Sequence, residues 1–109
     1  MKNRIFIVPL LAAVSLLFAA AAPAAENMEL STPRDTEVDG MLSAGDAAGH
    51  VYYVITTEPR KGLLRLYPDG SFLYTPAEGK RGRDYFGYRA VDENGDRSEE
   101  ATVIIHITR

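Results

Sequence analysis

The side chains with the most chemical scope in this 109-residue sequence are two histidines, His50 and His106, and an acidic run, Asp92-Glu93-Asn94-Gly95-Asp96. Neither histidine stands in a spacing that reads as a nucleophile–base pair or a metal motif, so each is expected to be structural or on the surface. His106 falls on an outward strand position. The chain has no cysteine, which excludes a thiol nucleophile, a Cys-based zinc site, a lipoprotein attachment point and any disulfide. A small hydrolase needs polar groups that converge, and none are visible, so no enzyme is expected. Calcium takes about six to eight oxygen ligands. Asp92, Asn94 and Asp96 are the metal candidates, with Glu93 and Asp46 as further donors. The run lacks the turn glycine and distal glutamate of a helix-loop-helix calcium loop. Its plainer reading is an Asn-Gly hairpin with solvated acids, and no cofactor is required. Lys80, Arg81 and Arg83 form a short basic cluster that reads as a solvated loop. A net charge of −3 offers no clustered cationic excess for nucleic acid.

These residues sit on a chain with a distinct beginning. Lys2 and Arg4 precede an apolar run from Ile5 to Ala22 that ends in small residues, the pattern of an export signal. Ala22-Pro23-Ala24 places small side chains at the third and first positions before a cut ahead of Ala25. We therefore expect residues 1–24 to be a signal peptide and 25–109 to be a single domain, exported to the periplasm or beyond the cell, with no membrane span after cleavage. An uncleaved anchor is the alternative, since the run is nearly long enough to cross roughly 30 Å of hydrocarbon. Cleavage leaves 85 of the 109 residues, and removing Lys2 and Arg4 takes the net charge from −3 to −5. A domain of that size buries only about 60 to 65% of its unfolded surface. Without disulfides, burial and strand pairing must hold it together.

Past the signal, period-two alternation recurs between Gly, Pro, Asn and Asp punctuation, and no useful 3.6-residue repeat appears. Strands are predicted near Met28 to Thr32, Thr36 to Leu42, Val51 to Thr57, Leu63 to Tyr67, Ser71 to Thr75, Asp84 to Val91, and Ala101 to Ile107. Pro59 stops the third by removing a ladder donor. Pro68-Asp69-Gly70 makes a tight turn that sets Leu64 and Leu66 beside Phe72 and Tyr74. Phe86, Tyr88 and Ala90 point inward on the sixth strand, and Val103, Ile105 and Ile107 on the last. Gly62 and Gly82 are expected at turns, as are Gly70 and Gly95. Seven short strands, each with one apolar face to hide, imply two packed sheets.

The motifs Gly62-Leu63-Leu64-Arg65-Leu66, Asp69-Gly70-Ser71-Phe72-Leu73-Tyr74-Thr75-Pro76, Gly82-Arg83-Asp84-Tyr85-Phe86-Gly87-Tyr88, Asp92-Glu93-Asn94-Gly95 and Ala101-Thr102-Val103 resemble the bacterial immunoglobulin-like and cadherin-like repeats of large surface adhesins. These include the family named for Vibrio, Colwellia, Bradyrhizobium and Shewanella. The resemblance spans about Asp35 to Thr108 and implies an all-β, seven-stranded immunoglobulin-like (cadherin-like) β-sandwich. It is specific for fold and weak for function, because the shared residues are core and turn positions. Relatives string many copies into adhesive stalks, whereas one domain reads here. They also carry an aromatic near Lys80 and an acidic loop where this chain has Asp46-Ala47-Ala48-Gly49-His50, which weakens the calcium inference.

In such a sandwich the third, sixth and seventh strands share a sheet. Tyr52, Val54, Tyr85 and Ile104, with Arg89 and His106, then face outward together, where relatives usually carry Thr or Ser. Apolar surface of this kind marks contact, although strand propensity alone favours Tyr, Val and Ile. The expected function is a non-catalytic binding or assembly module engaging another envelope or secreted protein, or itself. The alternative is a carbohydrate-binding module in which Tyr52, Tyr67 or Tyr85 stacks on sugar rings.

Overall fold

A computed structural model of the protein describes residues 22–45 and 49–109. Most of the expected signal peptide, and Asp46, lie outside the described residues. No helix among the described residues is long and apolar enough to cross a membrane. Seven strands follow in order: β1 (Met28–Pro33), β2 (Val38–Met41), β3 (Val51–Thr57), β4 (Gly62–Leu66), β5 (Ser71–Pro76), β6 (Gly82–Asp92) and β7 (Ala101–Thr108). They match the strands predicted from period-two alternation, with no end shifted by more than two residues. The two-residue shifts are at the start of β2, where Thr36 and Glu37 precede the strand, and at the start of β6, which begins at Gly82.

The strands form a four-stranded sheet, ordered β1-β7-β6-β3, and a three-stranded sheet, ordered β2-β5-β4. β1 runs parallel to β7, and the other pairings are antiparallel. This is an immunoglobulin-like sandwich, with β3, β6 and β7 in one sheet as the resemblance implied. The β4–β5 hairpin closes through the Tyr67–Ser71 turn, where the Gly70 amide donates to the Tyr67 carbonyl at 3.0 Å. Gly70 holds φ 94° there, a conformation that costs glycine little and other residues more.

The inward rows of both sheets share one dry interior. Phe72, Tyr74, Phe86, Tyr88, Val103 and Ile105 are the largest fully buried side chains. Phe72 on β5 meets Phe86 on β6 across the sandwich, edge to face, with ring centroids 5.4 Å apart. Burying these rings together with Val103, Ile105 and Ile107 drives folding in a chain with no crosslink. Leu64, Leu66, Val38 and Tyr53 pack around them.

Two local expectations need correction. Gly62 is not a turn residue: it lies within β4, and a Cβ there would sit 2.5 Å from the Thr75 carbonyl and 2.8 Å from the Tyr74 ring. Its smallness lets the Tyr74 ring pass over the neighbouring strand. The β6–β7 return is also not a simple two-residue Asn-Gly hairpin. Gly95 donates to the Asp92 carbonyl at 3.0 Å, Val91 bridges Arg97, and Ser98 then takes the Ala90 amide onto its Oγ at 2.9 Å. The register differs by one residue between the Val91–Arg97 bridge and the Tyr88–Ala101 pair, so the return strand contains a bulge.

Candidate interaction face

Alternation along β6 decides what each side of the four-stranded sheet presents. Phe86, Tyr88 and Ala90 are buried, so Tyr85, Gly87 and Arg89 take the outward side. Tyr85 stands opposite Ile104 of β7, and Ile104 in turn lies beside Glu29 of β1. Val54 of β3 stands opposite Arg89, and Tyr52 opposite Val91. Tyr52, Val54 and Tyr85 are 57%, 42% and 49% exposed, while Ile104, Arg89 and His106 are partly covered.

All six residues singled out from the sequence therefore occupy one sheet face, but their apolar side chains form two groups rather than one. Between Tyr85–Ile104 and Tyr52–Val54 lies Gly87, covered by the Glu100 carboxylate and the Thr56 hydroxyl. Thr56 and Thr57 both donate to that carboxylate, and these bonds hold Glu100 below the usual carboxylate range, with the Arg89 charge adding to the effect. Arg89 donates from Nη1 to the Ser98 carbonyl at 2.7 Å. The face thus carries two apolar areas flanking a polar strip built from β3, β6 and the β6–β7 return. Sequence reading missed the strip because Glu100 precedes β7, and only the fold brings it over β6.

His106 is held on this face by Glu29, its Nε2 lying 2.8 Å from the carboxylate. His50 is exposed at the start of β3. Together with Tyr52, Asp92, Glu93 and Gly95 it lines an open cleft of about 400 Å³. Of the acidic run, the Asp92 carboxylate accepts the Asn94 and Asp96 amides, both at 2.9 Å. It thereby serves its own turn, in the manner of an Asx turn. Among the described residues no three His, Asp or Glu side chains converge as a metal-ligand set. Lys80 and Arg81 line a second open cleft with Gly82 and Arg109. Tyr67 lies in the β4–β5 turn, on the sheet that does not hold Tyr52 and Tyr85.

Two hydroxyl networks tie the sandwich together, and neither was anticipated. Asp84 is buried in phase with Phe86 and Tyr88. Its carboxylate accepts the Tyr74 hydroxyl at 2.6 Å and the Arg60, Lys61 and Tyr85 amides at 3.0, 2.9 and 2.9 Å. Burial alone would raise its pKa, but the bonds from Tyr74 and the three amides outweigh that and lower it. The Tyr74 hydroxyl is pushed well above its usual range by burial and by Asp84. At the other end, Tyr88 accepts the Glu26 amide at 3.1 Å and faces the carbonyls of Glu26 and Ser43. A carboxylic acid on an inward strand position was the available signal, since a buried charge requires donors.

The comparisons with known proteins bear on this architecture. No curated protein matches the chain. A solved structure of a 2,6-sialyltransferase from Vibrionaceae Photobacterium sp. JT-ISH-224, in complex with CMP and lactose, is similar over 76% of this chain, at 11% identity and a TM-score of 0.48. The likeness covers only 17% of that enzyme's length. A family described as bacterial Ig domain matches residues 20–106, most of the sequence and all seven strands but the last two residues of β7. With its immunoglobulin-like strand order already established, this chain belongs to the bacterial Ig domain family.

Proposed function

We propose that this chain is an exported, non-catalytic module that docks another protein of the cell envelope or extracellular space through the outward face of its four-stranded sheet. Family membership supports the broad reading, since bacterial Ig domains generally serve binding and assembly rather than catalysis. The observation that carries the finer one is the half-exposure of Tyr85 beside Ile104, with Tyr52 and Val54 exposed across the Glu100 strip. Such a surface has apolar anchors around fixed polar groups, the composition of a protein contact. Residues 1–24 act in this reading as the export signal, and no cofactor enters it.

The test pairs Tyr85→Ser with Ile104→Thr, two changes outside the core. The variant is expected to keep wild-type circular dichroism and to lose the partner that co-purifies with the wild type from envelope and culture fractions. Retention of that partner by the folded variant overturns the reading. A glycan array run in parallel addresses sugar recognition, for which protein docking predicts no selectivity.

A further inference from the structure

The edges of the two sheets are unequal. Among the described residues four strands have one unpaired side: β1 and β3 in the larger sheet, β2 and β4 in the smaller. An unpaired edge offers N–H and C=O groups to any extended chain, and soluble proteins blunt it with charge, proline, glycine or shortness. β1 carries Glu29 and Pro33, β2 is four residues long with Asp39 and Gly40, and β4 contains Gly62 and Arg65. β3 has none of these devices. Its seven residues, Val51-Tyr52-Tyr53-Val54-Ile55-Thr56-Thr57, are all β-branched or tyrosine, the types that favour extended pairing. Its one irregularity is a bulge between Ile55 and Thr57, which leaves Val51 to Ile55 regular.

We propose that β3 is the docking edge for a second copy of this chain, the two strands pairing antiparallel about a two-fold axis at Tyr53 to join the two four-stranded sheets into one. The strand's own chemistry selects this occupant. Under that symmetry Val51 faces Ile55, Tyr52 faces Val54, and Tyr53 faces Tyr53 of the second copy. Every pair is aromatic or β-branched, the combinations that stabilise neighbouring strands. An edge that meets itself must avoid a charge near the axis, because the copy brings the same charge close. β3 is the described edge that meets this condition. Tyr52 and Val54 belong to the outward face as well, but the inference does not rest on that reading, which is tested at Tyr85 and Ile104 on β6 and β7, inside the sheet.

Sedimentation of the chain expressed from its full sequence should show a concentration-dependent monomer–dimer equilibrium that high salt leaves in place, since no charge pair makes the contact. Val54→Lys, at an exposed position, should weaken the dimer by about tenfold or more. Tyr85→Ser with Ile104→Thr should leave it unchanged. Because the protein has no cysteine, single introduced thiols report position cleanly. A mixture of Tyr52→Cys and Val54→Cys chains should crosslink on oxidation, opposed Cα atoms in such a pair being about 4.5 to 5.5 Å apart, within disulfide reach. Tyr85→Cys chains should not crosslink. A protein that stays monomeric across the concentration range overturns the proposal. So does a dimer that tolerates Val54→Lys and gives no crosslink between positions 52 and 54.

Discussion

Asp84→Asn removes one charge from the base of the core while keeping the side chain's shape, and the structure allows its cost to be worked through. Oδ1 accepts the Arg60 and Tyr85 amides, and Oδ2 accepts the Lys61 amide and the Tyr74 hydroxyl. In the asparagine one of these oxygens becomes an NH2, so one or two of the part-buried backbone amides face another donor, while the Tyr74 hydroxyl can turn and accept instead. Leaving a buried donor unpaired costs about 1 to 3 kcal/mol, and the surviving bonds fall from the charged to the neutral range. Relief of the cost of burying a carboxylate offsets part of this. The net expectation is about 2 to 4 kcal/mol, against a total stability of roughly 4 to 13 kcal/mol for a domain of this size. Urea unfolding followed by circular dichroism at neutral pH measures it. The pH dependence supplies a second readout. Asp84 has a lower pKa folded than unfolded, so its contribution is complete above the ordinary Asp value of about 3.9 and is lost as pH falls through the folded value. The gap between wild type and Asp84→Asn should therefore narrow from about pH 4 downward. A variant within about 0.5 kcal/mol of wild type at neutral pH, or a gap that stays constant into acid, refutes the reasoning.

Gly62→Ala should destabilise by about 1 to 3 kcal/mol in the same unfolding assay, because the added Cβ meets the Thr75 carbonyl at 2.5 Å and backbone cannot swing aside. A neutral result there would show that β4 is free to shift. Tyr88→Phe removes the hydroxyl that ties Glu26 to Ser43 and should cost about 1 to 2 kcal/mol. Hydrogen exchange at the Glu26 amide should quicken in that variant more than at β6. Equal protection at Glu26 would mean that the Ser43 carbonyl, which that amide also reaches at 3.0 Å, holds the segment alone.

The sequence by itself determined the class of fold and the identity of the core. Period-two alternation is local, and burial of one strand face follows from it, so Phe72, Tyr74, Phe86, Tyr88 and the Val103 row could be placed inward before any contact was known. The resemblance then supplied the strand order that puts β3, β6 and β7 side by side. Asp84 was legible in phase but not in meaning, since its donors come from Arg60 and Lys61, more than twenty residues upstream. What only the tertiary structure decided are the relations that cross between strands. Glu100 divides the outward face because the bulged β6–β7 return brings it over Gly87, and Gly62 is small because Tyr74 passes beside it. β3 is an open edge because nothing pairs beyond it among the described residues. Each of these depends on register and on which strand ends a sheet, quantities set by the closure of the whole sandwich and encoded in no single segment.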